Sequence, residues 1–166
     1  KDSGAVFRCH DAKIPCLFVD HRSYSTREEF DGAVVAALRD ANVDLVVLAG
    51  FMRVLTPIMI RAYPGRIMNI HPSLLPAFPG LHPQKQALEH GVRFSGCTVH
   101  FVDEGVDSGP IILQAVVPVF DDDSEEILQQ RILAEEHIIY PRAVRLFAQN
   151  RLKTEGRRVR ILPPPN

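Results

Sequence analysis

DLVVLAG, residues 44–50, is an unbroken apolar run, rich in β-branched side chains, between an acid and a glycine. A strand with one wet face alternates polar and apolar residues, whereas a run without alternation suits a parallel strand buried on both faces. TPIMIRAY (56–63) then starts a helix, with Pro57 near its first position, where a missing N–H costs little. Upstream, CLFVD (16–20) reads as a short strand and STREEFDGAVVAALRDANV (25–43) as a helix with a Ser/Thr cap and early acids. Downstream, RIMNI (66–70) repeats the strand pattern, followed by a proline-rich loop and a helix from about Gln84 to His90. Strands alternating with helices predict an α/β fold: a mostly parallel sheet with helices on both faces.

The second half changes character. CTVHFV (97–102) and IILQAVVPV (111–119) are strands joined by the loop DEGVDSGP (103–110), which predicts an antiparallel or mixed extension of the sheet. DDDSEEILQQRILAEEHIIYPRAVRLFAQN (121–150) reads as one capped helix, with acids at its positive end and a kink or break expected near Tyr140, ahead of Pro141. RRVRILPPP (157–165) is expected to close the sheet as an edge strand. No linker or repeat divides the chain, so residues 1–166 are expected to form a single domain.

The 166 residues are 46% hydrophobic, enough for one ordinary core. Nineteen Lys+Arg against 20 Asp+Glu give no field that would attract nucleic acid or a membrane surface, so small molecules are the expected partners. No apolar run approaches the roughly 20 residues of a membrane span, and a cytoplasmic location is expected. Cys9, Cys16 and Cys97 form no CxxC pair; they are read as buried thiols in a reducing compartment, with His10 at the surface and no metal site.

Ligands of a parallel sheet bind beyond the carboxyl ends of its strands. Three loops lie there: Gly50 to Arg53, Asn69 to Gly80, and Asp103 to Gly109. Strand alternation puts Asn69 and His71 on one face with Ile70 opposite. An amide N–H can hold a carbonyl oxygen that gains negative charge, and a histidine can donate or take a proton near neutrality. Pro72, Pro76 and Pro79 stiffen the loop after them. Asp107 can orient an imidazole and favour its charged form. Two plainer readings stand beside these: Asn69 and His71 as strand-end residues bonding the local backbone, and Asp103, Glu104 and Asp107 as a solvated turn. In the long helix Leu128, Ile132, Ile139 and Ala143 trace an inward stripe, and Glu136 falls on it. An inward carboxylate needs either a structural donor or a ligand hydroxyl or amine.

LAGFMRVL (48–55), MNIHPSLLPAFPGLHPQKQAL (68–88), SGCTVHFVDEGVDSGPIILQ (95–114) and EEHIIYP (135–141) closely resemble the glycinamide ribonucleotide formyltransferases of purine biosynthesis, over about Cys16 to Leu162. The resemblance implies a Rossmann-like formyltransferase fold and direct transfer of a formyl group from 10-formyltetrahydrofolate to the amine of glycinamide ribonucleotide, without a metal. By motif position, Asn69, His71 and Asp107 are the implied catalytic set. His71 is then the general acid supported by Asp107, and Asn69 holds the formyl oxygen. Arg27, Met52, Arg53, Val54, Leu55, Asn69 and the run Val102, Asp103, Glu104, Gly105, Val106 and Asp107 are the implied folate contacts. Arg27 could equally be a helix-surface ion pair. Met52 and Glu136 are implied to touch the acceptor, and a monomer or weak homodimer is expected. The family's glycine-rich phosphate turn has no counterpart between Lys1 and Asn166, so the first strand–helix unit is expected to precede Lys1. Related alternatives are a formyltetrahydrofolate deformylase, which gives the formyl group to water, and a truncated folate-binding remnant without catalysis.

Overall fold

The computed structural model describes residues 4–51 and 53–164, and its contacts divide into a unit ending at Val43 and another beginning at Asp44. The first contains α1 (Gly4–Asp11), a short 3-10 turn (His21–Ser23) and α2 (Arg27–Asp40). α2 starts at Thr26 because two orphan donors are satisfied reciprocally. The Glu29 N–H donates to the Thr26 hydroxyl at 3.1 Å and the Thr26 N–H to the Glu29 carboxylate at 3.3 Å, a box worth about 1 kcal/mol. Residues 16–20 are not a strand. Their backbone has no neighbouring strand among the described residues of this unit, and Leu17 and Phe18 are 71% and 60% exposed. Apolar sequence alone does not make a strand without a ladder to join.

The second unit carries the sheet. In chain order it comprises β1 (Val46–Leu48), α3 (Pro57–Ala62), β2 (Ile67–His71), α4 (Pro83–Glu89), β3 (Phe94–Phe101), β4 (Ile111–Pro118), α5 (Glu125–Ala148), β5 (Leu152–Glu155) and β6 (Arg158–Ile161). The strand order is β1-β2-β3-β4-β6-β5. β1 and β2 are parallel, with α3 as their crossover, and the antiparallel extension runs through β3 and β4. β6 pairs in parallel with β4 through Ile111 and Arg158, so this edge belongs to β5, not β6, and β1, expected to be buried on both faces, forms the other edge and leaves Val47 41% exposed. β5 escaped the sequence because LKTE has no apolar face: three of its four residues are exposed.

α5 packs its Leu128, Ile132, Ile139 and Ala143 stripe against Cys97, Val99, Phe101, Ile112 and Val117 of β3 and β4. Each fully buried aliphatic or aromatic side chain in this seam contributes roughly 1.5–3 kcal/mol. The helix runs unbroken through Pro141. The carbonyl that loses its donor there belongs to His137, which is exposed and can bond water.

One hydroxyl ties the proline-rich loop to the sheet. Thr98, fully buried in β3, donates to the Ser73 carbonyl at 2.7 Å and accepts the Leu75 N–H at 3.0 Å and the Gln114 side-chain amide at 2.9 Å. Gln114 also donates to the Leu75 carbonyl at 2.9 Å. Leu74 crosses β3 over Gly96, where a Cβ would stand 1.9 Å from the Ala115 carbonyl oxygen and 2.8 Å from Leu74 Cδ2. Replacing Thr98 by Val keeps the shape but strands buried backbone groups at Ser73 and Leu75. T98V is expected to lose about 2–3 kcal/mol of stability, read as a lower urea midpoint at unchanged m.

Candidate active site

β2 ends in Asn69-Ile70-His71, and the antiparallel register sets Asn69 opposite His100 and His71 opposite Thr98. Directly opposed residues share a face, so the first pair can bond across the strands. The His100 Nδ1–H donates to the Phe101 carbonyl at 2.9 Å, which leaves Nε2 as an acceptor facing the Asn69 amide nitrogen at 3.4 Å. Burial, the largest influence on His100, lowers its pKa and keeps the ring neutral. Its 3.8 Å approach to Asp107 Oδ1 is therefore not an ion pair. Its role is to turn the Asn69 NH₂ group. One N–H points at His100 and the other remains for the cleft.

His71 sits between two acceptors. Its Nε2 lies 2.8 Å from the Phe78 carbonyl, and its Nδ1 lies 3.3 Å from Asp107 Oδ2. A ring flanked by a carbonyl and a carboxylate bonds both only when both nitrogens carry hydrogen. Asp107 Oδ2 also accepts the Gly80 N–H at 2.8 Å, so the carboxylate joins the loop after β2 to the loop after β3. Three non-glycine residues hold left-handed backbone here: Phe78 (φ 53), His82 (φ 54) and Asp107 (φ 50). Each such conformation costs about 1–2 kcal/mol and persists only where its surroundings enforce it.

Two cavities meet at this wall. The narrower, about 110 Å³, is lined by Leu48, Phe51, Arg53, Val54, Leu55, Asn69, His100 and Val102 to Asp107. The broader, about 630 Å³, includes Phe51, Arg53, Asn69, His71, Asp107 and Glu136, with Gln84, Glu125 and Gln129 toward its far side. Phe51, Arg53, Val54, Asn69 and Asp107 line both. Of the expected site residues, Asn69, His71, Asp107, Arg53, Val54, Leu55, the 102–107 run and Glu136 are thus assembled around the cavity pair. Met52 lies outside the described residues. Arg27 opens α2 in the first unit, at an exposed position.

Sequence reasoning missed Leu48, His100 and Gln84, while Phe51 lay within the Gly50 to Arg53 loop it had singled out. His100 had a usable signal, a lone histidine in the apolar run TVHFV just before the acidic loop. Gln84 had none, because a polar residue at a helix start is ordinarily solvated. The expectation of three buried thiols needs correction. Cys16 is exposed, because residues 16–20 join no sheet, and Cys9 is only partly covered. Cys97 is fully buried, and burial, reinforced by Glu136 and Glu135, pushes its thiol up to about 12, which disqualifies it as a nucleophile.

Glu136 is positioned from one turn away. Tyr140 places its hydroxyl 2.7 Å from the Leu48 carbonyl and 3.0 Å from the Met68 carbonyl, tying α5 to β1 and β2. Residues four apart share a helix face, so Glu136 is held over the broad cavity. No cation or donor among the described residues pairs with its carboxylate, and burial raises its pKa.

A paired strand-end amide and histidine, a loop carboxylate and an inward helical acid are one arrangement, and residues 2–144 match the formyl transferase family model. The chain belongs to the formyl transferase family. Over 152 residues it is 45% identical to the phosphoribosylglycinamide formyltransferase of Escherichia coli, covering 92% of this chain and 72% of the relative. Over 140 residues it is 55% identical to the trifunctional purine biosynthetic protein adenosine-3 of Drosophila melanogaster, covering 84% of this chain and 10% of that much longer protein. The structure superposes on glycinamide ribonucleotide transformylase 1 of Symbiobacterium toebii with a TM-score of 0.96 and 58% identity, covering 98% of this chain and 77% of the other. The formyl transferase chain thus spans about a tenth of its trifunctional relative and about three quarters of the bacterial ones. No helix among its described residues is long and apolar enough to cross a membrane.

The unpaired acid gives a test of the site's electrostatics. Glu136 binds its proton more tightly folded than unfolded, so the stability it contributes is full below the unfolded carboxyl range, near pH 4.5, and is lost as the pH rises through the folded value. Glu136→Gln removes that liability. The variant is expected to melt a few degrees above wild type at pH 7.5, with the gain vanishing at pH 4. An equal gain at both pH values would show that the charge is not the cause.

Proposed function

We propose that the protein transfers a formyl group from 10-formyltetrahydrofolate to the amine of glycinamide ribonucleotide. The observation that carries this reading is the meeting of two cavities at Asn69 and Asp107, beside His71. A hydrolase needs room for one organic substrate and water; a direct transfer needs two organic substrates on opposite sides of one reacting carbon. The narrow cavity suits a flat pterin, with the backbone near Arg53 to Leu55 and the 102–107 loop as its hydrogen-bonding rim. The broad one suits a sugar, with the Glu136 carboxylate as acceptor for ribose hydroxyls. The bacterial relatives named for this reaction support the choice of substrates.

The amine nitrogen attacks the formyl carbon, and a tetrahedral centre forms with negative charge on the former carbonyl oxygen. The free N–H of Asn69 donates to that oxygen. Loss of such a donor costs roughly 10²-fold or more in rate. His71, set between the Phe78 carbonyl and the Asp107 carboxylate, supplies a proton from Nδ1, the longer and weaker of its two contacts, as the bond from carbon to N10 breaks. The proton shed by the attacking amine returns to the site through Asp107 and His71, so the ring ends as it began. General acid assistance of this kind is worth about 10²–10⁴ in rate.

His71→Ala and Asp107→Ala are each expected to cut turnover at least about tenfold. Glu136→Ala is expected to raise KM for the ribonucleotide more than KM for the folate. Near-wild-type turnover in both of the first pair would sink the catalytic assignment, and equal KM effects would make Glu136 structural. Release of free formate at the same rate with and without the ribonucleotide would favour a deformylase instead.

A further inference from the structure

Arg157 lies far from the reacting groups in sequence and belongs to none of the motifs that resemble the family, yet the topology brings it to the catalytic loop. The β5–β6 hairpin closes through a two-residue turn, Gly156-Arg157, between the paired Glu155 and Arg158. Arg158 pairs with Ile111, the residue that opens β4 just after the 103–110 loop. The hairpin turn therefore stands beside that loop's exit. From there Arg157 Nη2 donates to the Ser108 carbonyl at 3.0 Å.

Ser108 is the residue after the left-handed Asp107 and is gripped on its other side too. Its hydroxyl donates to Asp103 Oδ1 at 2.6 Å, which also accepts the Gly105 N–H at 3.1 Å. Gly109 then packs so closely that a Cβ would stand 1.8 Å from the Phe101 carbonyl oxygen. The loop's internal bonds fix its shape. The Arg157 bond fixes it to the sheet from outside. A left-handed aspartate relaxes toward ordinary backbone unless the residues around it are restrained, and a charge-assisted bond to the next carbonyl is such a restraint.

We propose that Arg157 is a positioning residue, a latch from the C-terminal hairpin that holds the Asp107 loop so that the carboxylate stays between Gly80 and His71. This rests on the catalytic role proposed above for Asp107. A substrate-free readout separates the two. The Gly80 N–H donates to Asp107 Oδ2, so its amide proton resonance reports where the carboxylate is. In the full chain, Arg157→Ala is expected to move the Gly80 resonance most of the way to its Asp107→Ala position and to lower kcat by about three- to tenfold. Arg157→Lys restores part of both. Arg160→Ala, which breaks the hairpin's own pair with Glu155, leaves both unchanged. In an Asp107→Ala background, Arg157→Ala adds no further loss. A Gly80 resonance that stays put in a folded Arg157→Ala variant overturns the latch, as does an equal shift from Arg160→Ala. Absence of formyl transfer by wild type overturns the proposed function while leaving the Gly80 result to decide the latch.

Discussion

The Asp107 carboxylate is the junction on which the site depends. One of its oxygens faces both the Gly80 N–H and the His71 ring, so a single group joins the proline-rich loop after β2 to the acidic loop after β3. Neither loop is regular structure, and each contains left-handed non-glycine residues that would relax if freed. The energy that sustains them comes from elsewhere: the Thr98 hydroxyl under one loop, the Asp103 and Ser108 pairing within the other, and the α5 seam beneath both. Buried bonds of this kind do their work before any substrate arrives. The donors then need no reorganisation as charge develops, which is where most electrostatic catalysis originates.

Two histidines flank the same carboxylate in different surroundings. His100 is enclosed in β3 with its Nδ1–H committed to a carbonyl, and desolvation keeps it neutral. His71 faces acceptors on both sides, a setting complementary to the doubly protonated ring. His100 can accept from Asn69, whereas both ring nitrogens of His71 meet acceptors. Environment, not residue type, assigns the roles.

The parts of this arrangement that were legible in the sequence share a physical cause. The inner strands and the inner stripe of α5 carry apolar patterns because burial demands them, so 66–70, 97–102 and the Leu128 to Ala143 stripe were readable; 44–50 was readable as a strand but not as one buried on both faces, since β1 lies at the sheet edge with Val47 41% exposed. Asn69 and His71 were readable because strand alternation is rigid. What failed was what depends on partners. CLFVD has a strand's composition but no ladder among the described residues of its unit, and β5 has a ladder but no apolar face. The predicted break at Pro141 did not form, because the carbonyl it orphans is on the wet side of the helix. Arg157 left no trace at all. A turn arginine looks the same whether it meets solvent or a catalytic loop, and only the β4–β6 pairing tells which.

Glu136 and Tyr140 show how the fold accommodates a group that works against it. Burial raises the pKa of both, and both would be cheaper to replace by apolar side chains if stability alone were at stake. Tyr140 recovers its cost by bonding carbonyls of β1 and β2, which fixes the rotation of α5 against the sheet. Glu136 has no such return from the protein. A half-buried carboxylate without a donor among the described residues carries a desolvation cost that a hydroxyl-bearing ligand, as proposed, would offset. On the proposed function, the helix therefore spends folded-state stability so that ligand binding, not folding, completes the polar contacts of Glu136.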